Sequence, residues 1–157
     1  MCNDRQQHTI VLGGAGFIGS HLCRMLLKEG HHVLCIDNLS TGSLSNISNL
    51  FANPSFRFLR HDITQPFPAE VSQIEFLTEI YNLACPASPL RYQQDSVHTL
   101  LTSVTGSINA LNLASYTGSR ILLASTSEVY GDPEISPQSE DYHGSVNTTG
   151  PRSCYDE

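Results

Sequence analysis

Four glycines, Gly13, Gly14, Gly16 and Gly19, separate a short apolar run from an amphipathic segment in Val11-Leu12-Gly13-Gly14-Ala15-Gly16-Phe17-Ile18-Gly19-Ser20. Glycine at this spacing lets a strand turn sharply into a helix and lets backbone approach a pyrophosphate with no side chain between. The first N–H groups of the helix then face the anion. A glycine-rich turn also fits an ordinary strand-to-helix connection, so its surroundings must decide. Asp37 follows about twenty residues on, at the end of a second apolar run. An acid there accepts hydrogen bonds from adenosine ribose hydroxyls and repels a 2′-phosphate. Strand, turn, helix, strand and acid in that order point to a dinucleotide site and favour NAD over NADP.

The elements that must position these groups follow from periodicity. Residues 9–12 predict a first strand. Ile18, Leu22, Met25 and Leu26 recur at i, i+4, i+7 and i+8, which predicts one buried helical stripe ended by Gly30. Residues 33–36 predict a second strand closing at Asp37, residues 56–59 a third and residues 80–84 a fourth, with 74–79 as a longer surface loop or helix end before it. A helical period runs from Val97 through Leu100, Leu101, Val104, Ile108 and Leu111 to Tyr116, and Gly118 ends it before a fifth strand at 121–124. Alternating strands and helices imply an α/β fold, a doubly wound parallel sheet with helices on both faces. Ligands of such sheets lie beyond the carboxyl ends of the strands. Here those ends are residues 13–16, Asp37, residues 83–88 and residues 125–128. Thr126 and Ser127 make the last of them rich in hydroxyls, which serves backbone capping as readily as catalysis. Residues 132–152, with three prolines and two glycines, predict a long irregular loop of the kind that often carries function.

Composition narrows the class. The chain has 157 residues, 39% of them hydrophobic, and a formal net charge of −7, which suits one α/β core. The acidic balance and the lack of a basic, aromatic-interleaved stripe argue against nucleic acid. No run of apolar residues is long enough for a bilayer, and the first eight residues are polar, so a cytoplasmic protein is expected. The five cysteines, Cys2, Cys23, Cys35, Cys85 and Cys154, are scattered and never spaced Cys-x-x-Cys. They predict core or loop thiols rather than disulfides or zinc, and the seven histidines also lack metal spacing.

Further blocks carry a family resemblance: Arg60-His61-Asp62, Leu83-Ala84-Cys85-Pro86-Ala87-Ser88-Pro89, Ser125-Thr126-Ser127-Glu128-Val129-Tyr130-Gly131-Asp132-Pro133 and Gly150-Pro151-Arg152-Ser153-Cys154-Tyr155-Asp156-Glu157. With the glycine turn and Asp37-Asn38, they make the chain resemble the extended short-chain dehydrogenase/reductases that act on nucleotide sugars, and within them the UDP-glucuronate decarboxylases. The resemblance implies NAD as cofactor, with Gly16, Phe17 and Ile18 at the pyrophosphate, Asp37, Asn38, Thr41 and Gly42 at the adenosine end and Asp62 and Ile63 near adenine. Leu83 and Cys85 would line the path to the nicotinamide ribose, with Thr102 beside it. It implies Tyr155 as the acid/base tyrosine of a Tyr-x-x-x-Lys pair, Thr126 as the hydroxyl that hydrogen-bonds the reacting sugar O4, and Glu128, with Ser127 next to it, as the group that positions the sugar or moves a proton at C5. Relatives that dehydrate carry Asp-Glu where this chain has Ser127-Glu128.

The resemblance implies decarboxylation of UDP-glucuronate to UDP-xylose through a transient 4-keto sugar. A 4-epimerase or 4,6-dehydratase is the alternative, and a non-catalytic NAD-binding module the alternative of another class. The lysine of the pair would stand at position 159, so residues 1–157 are expected to be an incomplete NAD-binding domain without its last strands or substrate domain, inactive alone and a homodimer at full length. Several positions depart from the family pattern. Leu12, Asn82 and Ser103 replace a threonine, a histidine and an asparagine, and Leu101, Ser115 and Tyr116 stand where decarboxylases carry Lys or Arg, which implies less positive charge for an anionic ligand.

Overall fold

The computed structural model describes residues 7–156; Cys2 and Glu157 lie outside the described residues. In it, β1 (His8–Leu12), β2 (His32–Asp37), β3 (Phe56–Arg60), β4 (Leu77–Asn82) and β5 (Arg120–Leu123) form a single parallel sheet in the order β3-β2-β1-β4-β5. Ile10 sits between Leu34 and Ile80 in register, and Leu12 between Ile36 and Asn82. Both faces of the central strands are covered. Ile10, Leu12, Leu34, Ile36 and Ile80 pack on one side with Ala110 and Leu113, while Val11, Val33 and Cys35 pack on the other with Cys23 and Leu26. Two-sided burial is why β1 and β2 read as unbroken apolar runs rather than alternating ones. Each such aliphatic side chain contributes roughly 1.5–3 kcal/mol on leaving water.

Helix α1 (Phe17–Lys28) follows the glycine turn as expected, but its buried face differs from the expected stripe. Gly19, Ser20, Cys23 and Leu26 are buried, whereas Ile18 and Met25 are exposed by 68% and 57%. The reason is steric: the glycine side of the helix is the side that can press against the turn below it. The fourth strand also lies earlier than expected, at Leu77–Asn82. Residues 77–79 thus belong to the sheet, and Leu83 and Ala84 become its carboxyl-end turn, held by Leu83 N–H to the Leu12 carbonyl at 3.0 Å and Ala84 N–H to Asn82 Oδ1 at 3.2 Å. Asn82 is itself 3% exposed, so at this position it works as the cap of its own strand end.

After α2 (Ala69–Ser72) and α3 (Pro89–Tyr92), the long helical region runs as α4 (Ser96–Leu101), a π-helical segment at Thr102–Gly106 and α5 (Ser107–Thr117), ended by Gly118 in the left-handed conformation. Its inner face carries small or polar residues, Thr99, Thr102, Gly106 and Ala110, with Leu113 and Ala114. The apolar period noted in the sequence, Val97, Leu101, Val104, Ile108 and Leu111, points outward. Leu101, Ser115 and Tyr116 also lie on the exposed surface, so the cations missing at those positions are missing from the outside of the helix. Beyond β5 the chain makes a 3-10 turn at Ser127–Tyr130, an irregular loop touching back at the Gly131–Ser145 bridge, and α6 (Ser153–Asp156). Among the described residues no helix is long and apolar enough to cross a membrane.

Candidate nucleotide-binding cleft

A cavity of ≈ 640 Å³ opens at the carboxyl edge of the sheet. Its floor is the glycine turn. Gly13 has φ +74°, and a Cβ there would stand 2.8 Å from the Leu83 carbonyl oxygen; a Cβ on Gly19 would stand 2.7 Å from Gly14 Cα. Side chains at these positions would push strand, turn and helix apart, so only glycine lets the three meet. Gly13 N–H donates to the Ile36 carbonyl at 2.8 Å, which ties the turn to β2.

Asp37 stands at the end of β2, 8% exposed. Its Oδ2 accepts from Ala15 N–H at 2.9 Å and its Oδ1 from Leu39 N–H at 2.8 Å. The second bond supports a left-handed Leu39, φ 64°, a conformation that costs a non-glycine residue about 1–2 kcal/mol. One carboxylate therefore orders both the glycine turn and the loop behind it while retaining lone pairs toward the cleft. Gly42 lies behind this wall, where a Cβ would stand 2.9 Å from Asp37 Oδ1.

The next strand end supplies Asp62. Its Oδ2 accepts from Asn38 Nδ2 at 2.8 Å and lies 3.6 Å from His98 Nε2; its Oδ1 accepts from Thr64 N–H at 3.0 Å and the Thr64 hydroxyl at 2.8 Å. Burial pushes the carboxyl up, but the donors from Asn38 and Thr64, with His98, outweigh it and hold Asp62 below its ordinary value of 3.8. A depressed folded-state value stabilises the fold above the ordinary carboxylate range, and that stabilisation is lost as pH falls through it. Urea midpoints measured from neutral pH down through 3.8 are expected to fall less steeply for Asp62→Asn than for the wild type, and an unchanged slope would refute the coupling.

Along the far wall, Leu83, Ala84, Cys85, Pro86, Ala87 and Ser88 lead from β4 toward Tyr155. Burial pushes the Cys85 thiol up, against the Ser103 hydroxyl 3.4 Å from its sulfur. Thr102 hands its hydroxyl proton to the His98 carbonyl at 2.7 Å, which leaves its lone pairs to accept. Tyr155, on α6, is stacked face to face on the buried Tyr92, with centroids 4.8 Å apart and planes 5° from parallel. Cys154 Sγ contacts the Tyr92 carbonyl at 3.6 Å, and Arg152 pairs with the Glu128 carboxylate. The end of the long loop is thereby fastened to α3 and to the 3-10 turn.

Of the residues singled out in the sequence, Gly13, Gly16, Phe17, Ile18, Gly19, Asp37, Asn38, Thr41, Asp62, Ile63, Leu83, Cys85, Thr102 and Tyr155 share this cleft. Thr126 lines an adjoining cavity of ≈ 160 Å³ together with Tyr155, Asn82 and Ser103. Thr126 Oγ1 accepts from Glu128 N–H at 3.3 Å, so its hydroxyl oxygen caps the 3-10 turn while the residue lines that cavity. Ser127 lines neither cavity, and Glu128 is engaged by Arg152. Four polar lining residues escaped the sequence reading as site groups: Ser40, His61, Arg91 and His98. His98 had a signal, since it lies four residues before Thr102 on the same helical face. Arg91 had none. Among the described residues no group of His, Cys, Asp and Glu could hold a metal ion.

The sequence pattern of the family described as GDP-mannose 4,6 dehydratase matches residues 10–157. The chain belongs to that family. Within this dehydratase family the chain is similar to UDP-glucuronic acid decarboxylase 1 of Arabidopsis thaliana, 52% identical over 148 residues that make up 94% of this chain and 33% of that protein. It is also similar to UDP-glucuronic acid decarboxylase 1 of Danio rerio, 47% identical over 152 residues, 97% of this chain and 35% of that one. The chain thus spans about a third of these relatives' length. Among solved structures, it superposes on a dTDP-glucose 4,6-dehydratase from Streptomyces venezuelae with NAD bound, at TM-score 0.79 and 26% identity over 96% of this chain and 48% of that one. It superposes on a UDP-glucose 4-epimerase from Thermotoga maritima with UDP-glucose, at TM-score 0.78 and 26% identity over 96% and 47%. This chain therefore shares its parallel-sheet fold with these two structures over 96% of its length.

Proposed function

We propose that this chain forms the NAD-binding domain of a UDP-glucuronate decarboxylase. The observation that carries the reading is the convergence of the glycine turn, Asp37, the β4 end and Tyr155 on one cleft, in a chain about half identical to proteins of that name. The residues fit the cofactor. Gly13 and Gly19 keep strand, turn and helix in contact where a Cβ would push them apart, so the first N–H groups of α1 stay turned toward a pyrophosphate, and Asp37 faces the place of the adenosine ribose. NAD held there would supply a hydride acceptor for C4 of the sugar and a hydride donor for the ketone left after decarboxylation.

The chain's own residues then divide the proton work. Tyr155 takes the proton from the sugar O4 and gives it back when the C4 carbonyl is reduced. The Thr126 hydroxyl donates to that oxygen as charge develops on it. The carbonyl so formed lies β to the C6 carboxylate, so carbon dioxide leaves with its bonding electrons entering an enolate. Glu128, its carboxylate engaged by Arg152, positions the sugar or relays a proton from water to C5. A lysine four residues past Tyr155 would complete the acid/base pair, and the apolar outer face of α4 and α5, with Val97, Val104, Ile108 and Leu111 exposed, is the surface on which a second copy would pack.

Purified protein expressed from its complete reading frame is expected to convert UDP-glucuronate to carbon dioxide and UDP-xylose with no net consumption of NAD, followed by product chromatography. Residues 1–157 alone are expected to give no turnover. An epimer of the substrate as the sole product would replace this reading by a 4-epimerase, the activity named for several structural neighbours.

A further inference from the structure

The charges on the cleft wall are arranged unequally. Asp37 and Asp62 lie at one end, their oxygens already accepting from Ala15, Leu39, Asn38 and Thr64. Arg91, on α3, is the only Lys or Arg among the described lining residues. The two lining imidazoles already have partners, His98 Nε2 facing Asp62 Oδ2 at 3.6 Å and His61 Nε2 facing the Gln65 carbonyl at 3.3 Å. The Arg91 guanidinium has no hydrogen-bond or ion-pair partner among the described residues, so all of its donors remain free. Its backbone is held, since Arg91 N–H donates to the Ser88 carbonyl at 2.8 Å and the next residue, Tyr92, is 1% exposed beneath Tyr155. A guanidinium on a residue that lines the cleft, fixed at its backbone and free at its tip, matches a planar oxyanion, which it binds through two parallel hydrogen bonds.

We propose that Arg91 is a specificity residue that grips an anionic group of the sugar nucleotide, a carboxylate or phosphate oxygen pair, at the Tyr155 end of the cleft. The inference rests on the reading of the chain as part of a UDP-sugar enzyme. It places the compensating positive charge inside the cleft, whereas Leu101, Ser115 and Tyr116, the positions where decarboxylases carry cations, lie on the outer surface of the helix.

The test compares Arg91→Gln and Arg91→Lys with the wild type, using protein from the complete reading frame. Equilibrium titrations with NAD, UDP-glucuronate, UDP-glucose and UDP accompany kcat and KM for UDP-glucuronate, with circular dichroism melts to verify folding. For Arg91→Gln, the Kd and KM for UDP-glucuronate are expected to rise about tenfold to a hundredfold, with kcat within about threefold and NAD affinity unchanged; Arg91→Lys is expected to recover part of the loss. Loss confined to UDP-glucuronate identifies the sugar carboxylate as the partner, and equal loss for all three uridine nucleotides identifies the diphosphate. Unchanged affinity for every uridine nucleotide overturns the proposal, and so does a loss that falls on NAD instead. If the protein binds the uridine nucleotides but does not decarboxylate, the titrations still report on Arg91 while the decarboxylase reading fails on its own.

Discussion

Replacing Tyr155 by Phe is expected to lower kcat for UDP-glucuronate by about a hundredfold to ten-thousandfold, the range removed when a positioned acid/base group is lost. The phenol oxygen is the only atom deleted. The ring that stacks on Tyr92 at 4.8 Å is retained, and no hydrogen bond of the Tyr155 hydroxyl to the described residues anchors the fold. Thermal stability is therefore expected to stay within a few degrees, since a change near 1 kcal/mol shifts the Tm of a domain this size by only a few degrees. NAD affinity is expected to stay within about twofold, because the turn that holds the pyrophosphate is untouched. Steady-state kinetics with a melt and an NAD titration separate the outcomes. A kcat close to wild type would leave the hydroxyl without a proton to move, and a collapse of the melt would make Tyr155 a packing residue instead.

The second large effect is expected at Gly19. A Cβ there would stand 2.7 Å from Gly14 Cα, a contact with backbone that cannot swing aside as a side chain would. Gly19→Val must lift α1 off the turn, which spoils the approach of the helix N-terminus to a phosphate and overpacks the interface. We expect NAD affinity to fall at least about a hundredfold and stability to fall by about 1–3 kcal/mol. Calorimetric NAD titration and urea denaturation measure the two quantities independently. Undiminished affinity in a destabilised protein would mean that the glycine serves packing only.

The site's framework was legible in the sequence wherever its determinants lie close together along the chain. The glycines at 13, 16 and 19, the acid closing β2, and the blocks at residues 83–88 and 125–128 each belong to one short strand-to-turn segment. Backbone sterics and strand ends act over a few residues, so spacing alone predicted that these ends would lie along one edge of the sheet; residues 13, 16, 19, 37, 83–88 and Ser125 line one cleft there, Thr126 lines an adjoining cavity, and Ser127 and Glu128 line neither.

Orientation was another matter. The periods at Ile18 and Met25 and along Val97 to Leu111 marked helical faces, but a period does not say which way its face turns. Ile18 and Met25 stayed exposed because close packing needed the glycine side of α1, and the α4–α5 face stayed exposed because small residues, Gly106 and Ala110, met the sheet side.

Residue order by itself determined the strand–turn–helix unit and the acid that follows it, because these depend on local backbone geometry. Only the tertiary structure decided that Tyr92 stacks on Tyr155 across sixty-three positions, that Arg152 meets Glu128, and that Arg91 and His98 face the cleft. Such contacts follow from how elements far apart in the chain pack together, and no spacing rule encodes that packing.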